Sequence, residues 1–358
     1  MRYMRRFIFI LLFGLNLLGL YGWASGVTLD LLPVQDAVMM KTPDDGHDHL
    51  NRLIGQARIS VHMMIYHLSD ETIVESLIAA SQRGVEVTVI MDRQSTLKNS
   101  GKILFEKLNS SGVRAVQSSK AFSISHVKAF SIDRKTLFVS TMNFIKSWAI
   151  MRDYGLTTSE PTLVEEYEKV FAADLVNAQN NTKDTPELTA PNLVWSPVNS
   201  RERLTKLIDS AQSEVEAQVE NLTDAYVIAS LGNAAKRGVH VRLLTPQCVL
   251  GGPYNNDKAL KMLNEVGVDT RVMPNPSSRS VPYMHTKTLS IDGRTAFLGS
   301  ENYSLNSLSY AREFGIVFQN ASAIDFLHKG FEEDWGKSVK YSTLPEKYCD
   351  KAVPLIVE

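Results

Sequence analysis

The sequence predicts an α/β protein built of two similar halves, each a sheet covered by helices on its faces. Three observations lead there. The chain has 358 residues, more than one hydrophobic core usually organises. Residues 51–156 and 203–316 run through the same order of hydrophobic patterns. Within each stretch, short β-rich runs alternate with helix-like segments, as in crossover units.

Each copy opens with an amphipathic stretch leading into a β-rich run, ARISVHMMIYHL at 57–68 and SEVEAQVENL at 213–222. A helix follows. In the first copy Ser69 or Asp70 can cap it, and Ile73, Leu77 and Ile78 recur at helical spacing. In the second, Thr223 or Asp224 caps, and Val227, Ile228 and Leu231 recur. Both helices end alike, at Arg83-Gly84 and Arg237-Gly238, where glycine can take the left-handed conformation that stops a helix. Strands VEVTVIMD (85–92) and VHVRLLT (239–245) come next, then second helices ending near Gly112 and Gly267. Polar, proline-bearing and without periodicity, residues 177–194 read as the linker between an N-terminal half (25–176) and a C-terminal half (195–345), with 346–358 as a tail.

The first residues have a different character. Arg2, Arg5 and Arg6 precede an apolar run from Phe7 to Leu20, followed by the small residues Gly22, Ala24, Ser25 and Gly26. That pattern predicts a signal peptide over residues 1–24 and an exported protein, periplasmic or secreted. A retained membrane anchor is the alternative, but the run is nearer the length of a signal core than of a full span. Removing three arginines takes the net charge from −1 to −4. Binders of the nucleic-acid backbone are usually basic, so no stable nucleic-acid complex is expected. Cys248 and Cys349 are the only cysteines, which excludes a disulfide scaffold and a cysteine zinc cluster; one bridge and two free thiols both remain open.

The chemistry lies in the third block of each copy. The first reads HVKAFSIDRKTLFVSTMN from His126 to Asn143, the second HTKTLSIDGRTAFLGSEN from His285 to Asn302. The alternation predicts β-hairpins turning at Asp133-Arg134-Lys135 and Asp292-Gly293-Arg294. Residues two apart on a strand share a face, so His126 projects with Lys128 and His285 with Lys287. Backbone turns at Ser140-Thr141 and Gly299-Ser300 can bring Asn143 and Asn302 back to the same patch. A lone His-x-Lys means little, but the whole spaced pattern at matching places in a repeat outweighs a pair of surface hairpins with incidental polar residues.

This doubled HxKxxxxDx(6)GSxN pattern resembles the phospholipase D superfamily, over essentially the whole chain after residue 24 and most sharply in 126–155 and 285–315. The resemblance implies two α/β/α sandwich halves related by a pseudo-twofold axis, with the active site at their interface. It also implies that one histidine is the nucleophile and the other the general acid, with His126 the nucleophile and His285 the acid. Thr141 and Ser300 would be substrate contacts. The first copy departs from the pattern with Ser140 for glycine and Thr141 for serine, which predicts a tighter loop. Asp153, in Arg152-Asp153-Tyr154-Gly155, and Glu313, in Arg312-Glu313-Phe314-Gly315, would each orient a histidine. Which carboxylate serves which histidine is open.

The residue types suit phosphodiester cleavage without metal or other cofactor. Lys128, Lys287, Asn143 and Asn302 are donors for the charge gathering on nonbridging oxygens. A neutral imidazole can attack phosphorus, and a protonated one can supply the leaving alcohol. Asp133 and Asp292 organise their turns rather than touch substrate. His47, Asp48 and His49 resemble a metal cluster, but without a third ligand at a diagnostic spacing a solvated loop is the preferred reading. His62 and His67 belong to strand faces, and residues 144–151, with Trp148, read as core packing of a following helix. The leading function is a monomeric phospholipase D acting at a membrane surface on phospholipid headgroup esters, with water or an alcohol as acceptor. Cardiolipin-synthase-like transfer or nuclease activity comes next, and a non-catalytic phosphate-binding module last.

Overall fold

The computed structural model describes residues 30–97, 99–250, 256–343 and Cys349. The signal-peptide reading of 1–24 and all of the tail except Cys349 lie outside them. The first half runs β1 (Val38–Thr42), α1 (Asp48–Gln56), β2 (Ser60–Ile65), α2 (Glu71–Gln82), β3 (Glu86–Met91), α3 (Asn99–Ser110), β4 (Arg114–Gln117), β5 (Lys128–Ile132), β6 (Thr136–Ser140), β7 (Met151–Thr158) and α4 (Pro161–Asn180). The second runs β8 (Leu193–Ser196), α5 (Ser200–Asp209), β9 (Glu214–Val219), α6 (Ala225–Lys236), β10 (His240–Pro246), α7 (Asp257–Glu265), β11 (Asp269–Met273), β12 (Tyr283–Met284), β13 (Lys287–Ile291), β14 (Thr295–Gly299), α8 (Leu305–Ser309), β15 (Glu313–Phe318), α9 (Ala321–Lys337) and β16 (Val339–Lys340).

The repeat is a repeat in space. One sheet is ordered β1-β7-β6-β5-β2-β3-β4 and the other β16-β11-β10-β9-β13-β14-β15-β8, so β5-β2-β3-β4 and β13-β9-β10-β11 are the same arrangement. Central strands are buried on both faces, as crossover sheets require: along β2, Val61, Met63 and Ile65 join one cluster and Met64 another. The cluster holding Met64 joins the halves, with Val139 and Leu156 from one sheet, Leu298 and Ile316 from the other, and Tyr167 and Leu327 from α4 and α9.

Local signals hold in detail. Asp70 and Asp224 cap α2 and α6, each carboxylate accepting two N–H bonds of the first turn. Gly84 and Gly238 follow with φ of +87° and +91°, a conformation that residues with a Cβ rarely adopt. Asp133 and Asp292 stand at positive φ in their hairpins, and their carboxylates accept from the N–H groups of residues 58–60 and 212–214.

Three local readings are corrected, and one left open is resolved. Helix α4 continues to Asn180, into the stretch read as linker, because Asn177 is satisfied by Asp174, Thr182 and Asp184 as the chain folds back on it, and β8 starts at Leu193, within the same stretch. His47 and His49 sit not in a solvated loop but at the start of α1; His47 is buried against the capping Asp70 at 3.0 Å, and His49 bonds Thr157 at 2.8 Å. Residues 146–150 form a half-buried 3-10 turn instead of a core-packed helix, with only Phe144 fully buried. Of the two states left open for Cys248 and Cys349, the structure has the disulfide.

Candidate active site

The strands that carry the two His-x-Lys pairs meet across the interface through backbone. His126 N–H donates to the carbonyl of Arg312 at 2.7 Å, and His285 N–H donates to that of Arg152 at 3.2 Å. Strand β12 extends this contact by pairing in parallel with β7, Tyr283 against Met151 and Met284 against Arg152. The two arginines are themselves buried by the opposite half: Arg152 forks onto Asp334 of α9 and Arg312 onto Asp174 of α4. Bidentate pairs of this kind fix orientation as well as charge.

Each carboxylate next to those arginines then reaches the histidine of the other half. Asp153 accepts from Nδ1 of His285 at 2.8 Å, and Glu313 from Nδ1 of His126 at 2.8 Å. Either histidine alone lacks its orienting partner, so the half-sites form a single site. Nδ1 is engaged in both rings, which leaves Nε2 as the reactive nitrogen. All four His and Lys side chains are enclosed, and Lys128 and Lys287 are fully buried.

Burial governs the ionisation here. It pushes His126 down to about 4, with Lys128 and Lys287 adding to the effect and Glu313 only partly opposing it. Burial also pushes Lys128 down to about 7, against the pull of Glu313. For Glu313, burial acts upward, but His126, Lys128 and Ser307 hold it below the usual carboxylate range. A neutral His126 thus donates Nδ1–H to an ionised carboxylate and presents a lone pair on Nε2.

The structure differs from the sequence reading at Thr141 and Ser300. Both are completely buried, and their hydroxyls serve the protein rather than a ligand. Thr141 donates to Asp153 at 2.5 Å and accepts from Tyr154 N–H, while Ser300 accepts from Phe314 N–H. The corresponding support for Glu313 comes from Ser307. Asn143 carries a buried Oδ1 without a protein partner, whereas Asn302 uses both ends, donating to Glu220 at 3.4 Å and accepting from Asn221 N–H. Ser140 fits where glycine is usual, its hydroxyl donating to the Lys128 carbonyl. At the matching Gly299 an added Cβ would lie 2.3 Å from the Glu301 carboxylate, because Glu301 fills the space below.

Three residues at the site carry no motif signal. Tyr66 lies edge-on to the His126 ring, 4.6 Å between centroids, with Lys128 Nζ 5.2 Å from its centre. Glu220 lies 3.2 Å from Lys287 Nζ and 3.7 Å from His285 Nε2. Glu301 is wholly buried, its carboxylate oxygens have no partner among the described residues, and burial raises it well above the carboxylate range. Tyr66 and Glu220 end the β-rich runs that open the copies, a position that alignment of the repeats would single out. Away from the site, Glu216, His328 and Glu332 could converge on a metal ion, but Arg242 already bridges Glu216 and Glu332.

Comparison with known proteins gives the same duplication. Residues 50–175 and 204–335 each match the family described as cardiolipin synthase, PLD-like domain. The chain belongs to this family. The family is part of the phospholipase D-like superfamily of phosphodiesterases and transferases. Phosphatidylserine synthase from Haemophilus influenzae Rd KW20 shares the fold, with a TM-score of 0.68 and 11% identity over 88% of this chain and 90% of that one. Polyphosphate kinase from Porphyromonas gingivalis gives 0.64 and 17% over 87% of this chain and 52% of that one. In sequence, polyphosphate kinase from Yersinia pestis is 29% identical over 240 residues, 60% of this chain and 33% of that one. The chain spans about a third of the length of such curated relatives.

Proposed function

We propose that this family member transfers a phosphatidyl group between alcohols through a phosphohistidine on His126, and that hydrolysis is the outcome when water takes the acceptor's place. The observation that carries the reading is the crossed pairing of each histidine with a carboxylate of the opposite half. It supplies two imidazoles of fixed tautomer in one enclosure, one to attack phosphorus and one to exchange protons with the departing and arriving alcohols. Lys128, Lys287 and Asn143 supply donors to the nonbridging oxygens.

Transfer is preferred over the headgroup hydrolysis that the sequence suggested first. The family is described by a synthase, and the fold is shared with a second synthase along nearly the whole chain. The substrates would be phospholipids at a membrane surface on the outer side of the cytoplasmic membrane, met by a monomer that needs neither a metal nor nucleic acid. A second reading comes from the polyphosphate kinase relatives, since a buried neutral histidine can also accept a phosphoryl group from a polyphosphate chain.

The test is lipid mass spectrometry after purified protein meets mixed phospholipids with glycerol, in the presence of a strong chelator. New phosphatidyl esters of the added alcohol support transfer. Phosphatidic acid as the sole product overturns transfer in favour of hydrolysis. Unchanged lipids, with phosphate from labelled polyphosphate bound to histidine, would favour the kinase-like reading, and nicked DNA a nuclease.

A further inference from the structure

The two half-sites match in their histidines, lysines and orienting carboxylates, and one of the places where they differ is next to the histidine rings. Ile65 pairs with Lys128 and Val219 with Lys287, so the following residues, Tyr66 and Glu220, occupy equivalent positions. Their backbones do the same thing, Tyr66 N–H donating to Val127 and Glu220 N–H to Thr286. Their side chains do not. Tyr66 sets an aromatic edge against His126, while Glu220 sets a carboxylate 3.7 Å from Nε2 of His285.

The His285 ring therefore has a carboxylate at each nitrogen, Asp153 at Nδ1 and Glu220 at Nε2. A neutral imidazole has one N–H and would turn a lone pair toward one of the two carboxylates; only the imidazolium meets both. His126 has one carboxylate, Glu313, and otherwise faces the Tyr66 ring and the ammonium groups of Lys128 and Lys287. We propose that Glu220 is the positioning residue that sets the direction of the reaction, by keeping a proton on Nε2 of His285 and so making it the acid and His126 the nucleophile. This rests on the phosphohistidine reading above.

The step balances. Nε2 of His126 forms a bond to phosphorus as the bond to the leaving oxygen breaks, and that oxygen takes the Nε2 proton of His285. In the return step the acceptor hydroxyl gives its proton to His285 and its oxygen displaces His126. At 3.7 Å, Glu220 is near enough to favour the charge and too far to bind the proton in a hydrogen bond, so the proton can leave. Glu220 is firmly held for this task. Its other contacts are Lys287, the Tyr283 hydroxyl at 2.9 Å and the Asn302 amide. Burial works against its charge, but Lys287 and His285 hold it down to about 2, and Tyr66, pushed up to about 12 by burial and then by Asp92, Glu313 and Glu220, brings no charge to the other side.

The test uses Glu220→Gln in the full chain, which keeps the shape but replaces the charge and one of the two accepting oxygens by a neutral amide. Formation of the phosphohistidine from an alkyl phosphodiester should slow about a hundredfold, while formation from a nitrophenyl diester, which needs no acid, should change by no more than about threefold. Equal loss with both substrates, or no loss with either, overturns the assignment. Nitrogen shifts of isotope-labelled histidine at neutral pH give a readout that does not depend on turnover. In the unmodified protein His285 should be cationic and His126 neutral, and Glu220→Gln should make His285 neutral. A neutral His285 in the unmodified protein overturns the proposal. A cationic His285 in a protein that transfers nothing sinks the functional reading and leaves this assignment standing.

Discussion

Asp153 lies in the N-terminal half and orients His285 of the C-terminal half, 2.8 Å from its Nδ1, and the Glu313 to His126 contact is its mirror. Each half thus holds a histidine that it cannot orient by itself. Asp153→Asn and Glu313→Gln should each lower kcat on the order of 10²–10⁴-fold while leaving KM nearly unchanged, because the tautomer rather than binding is lost. Steady-state kinetics of the two variants check this; a near-normal kcat in either would show that the histidine on that side needs no partner.

The pH dependence follows from His126, held at about 4, and Lys128, held at about 7. The nucleophile must be neutral, so kcat/KM should rise as pH passes upward through about 4. The ammonium must be charged to hold phosphate, so kcat/KM should fall as pH passes upward through about 7. Lys128→Arg, whose charge persists, should abolish the upper limb if it retains activity. An upper limb that stays in place in that variant would assign it to another group.

The histidines should fail in different ways. His285→Ala offered a nitrophenyl phosphodiester should still be phosphorylated on His126 and then stall, since nothing remains to deprotonate the acceptor. His126→Ala should form no adduct with any substrate. Mass spectrometry of the intact, alkali-stable adduct decides, and a phosphate found on His285 would reverse the roles.

Arg152 and Arg312, buried and forked onto Asp334 and Asp174 of the opposite half, join the halves close to the site. Asp174→Ala leaves Arg312 without its carboxylate and should cost about 3–5 kcal/mol of stability, well above a surface change. Denaturant unfolding measures it. A cost below about 1 kcal/mol would mean that water or a neighbouring carboxylate replaces Asp174.

The sequence by itself determined what depends on neighbours along the chain. The duplication, the capping aspartates Asp70 and Asp224, the glycines after Arg83 and Arg237, the hairpins bearing Asp133 and Asp292, and the spacing of His, Lys and Asn are all local patterns, set by periodicities of two and of three to four residues. Only the tertiary structure decided the rest. That Asp153 serves His285 and not His126 depends on β12 crossing to β7, a contact between residues more than a hundred positions apart. Thr141 and Ser300 read as ligand contacts until the burial of their hydroxyls shows them tied to the protein. Glu220 and Glu301 look like ordinary surface acids in a strand end and a loop. The fold encloses both and gives a cationic pair only to Glu220, and whether a buried carboxylate is ionised depends on the charges packed around it, which no local pattern specifies.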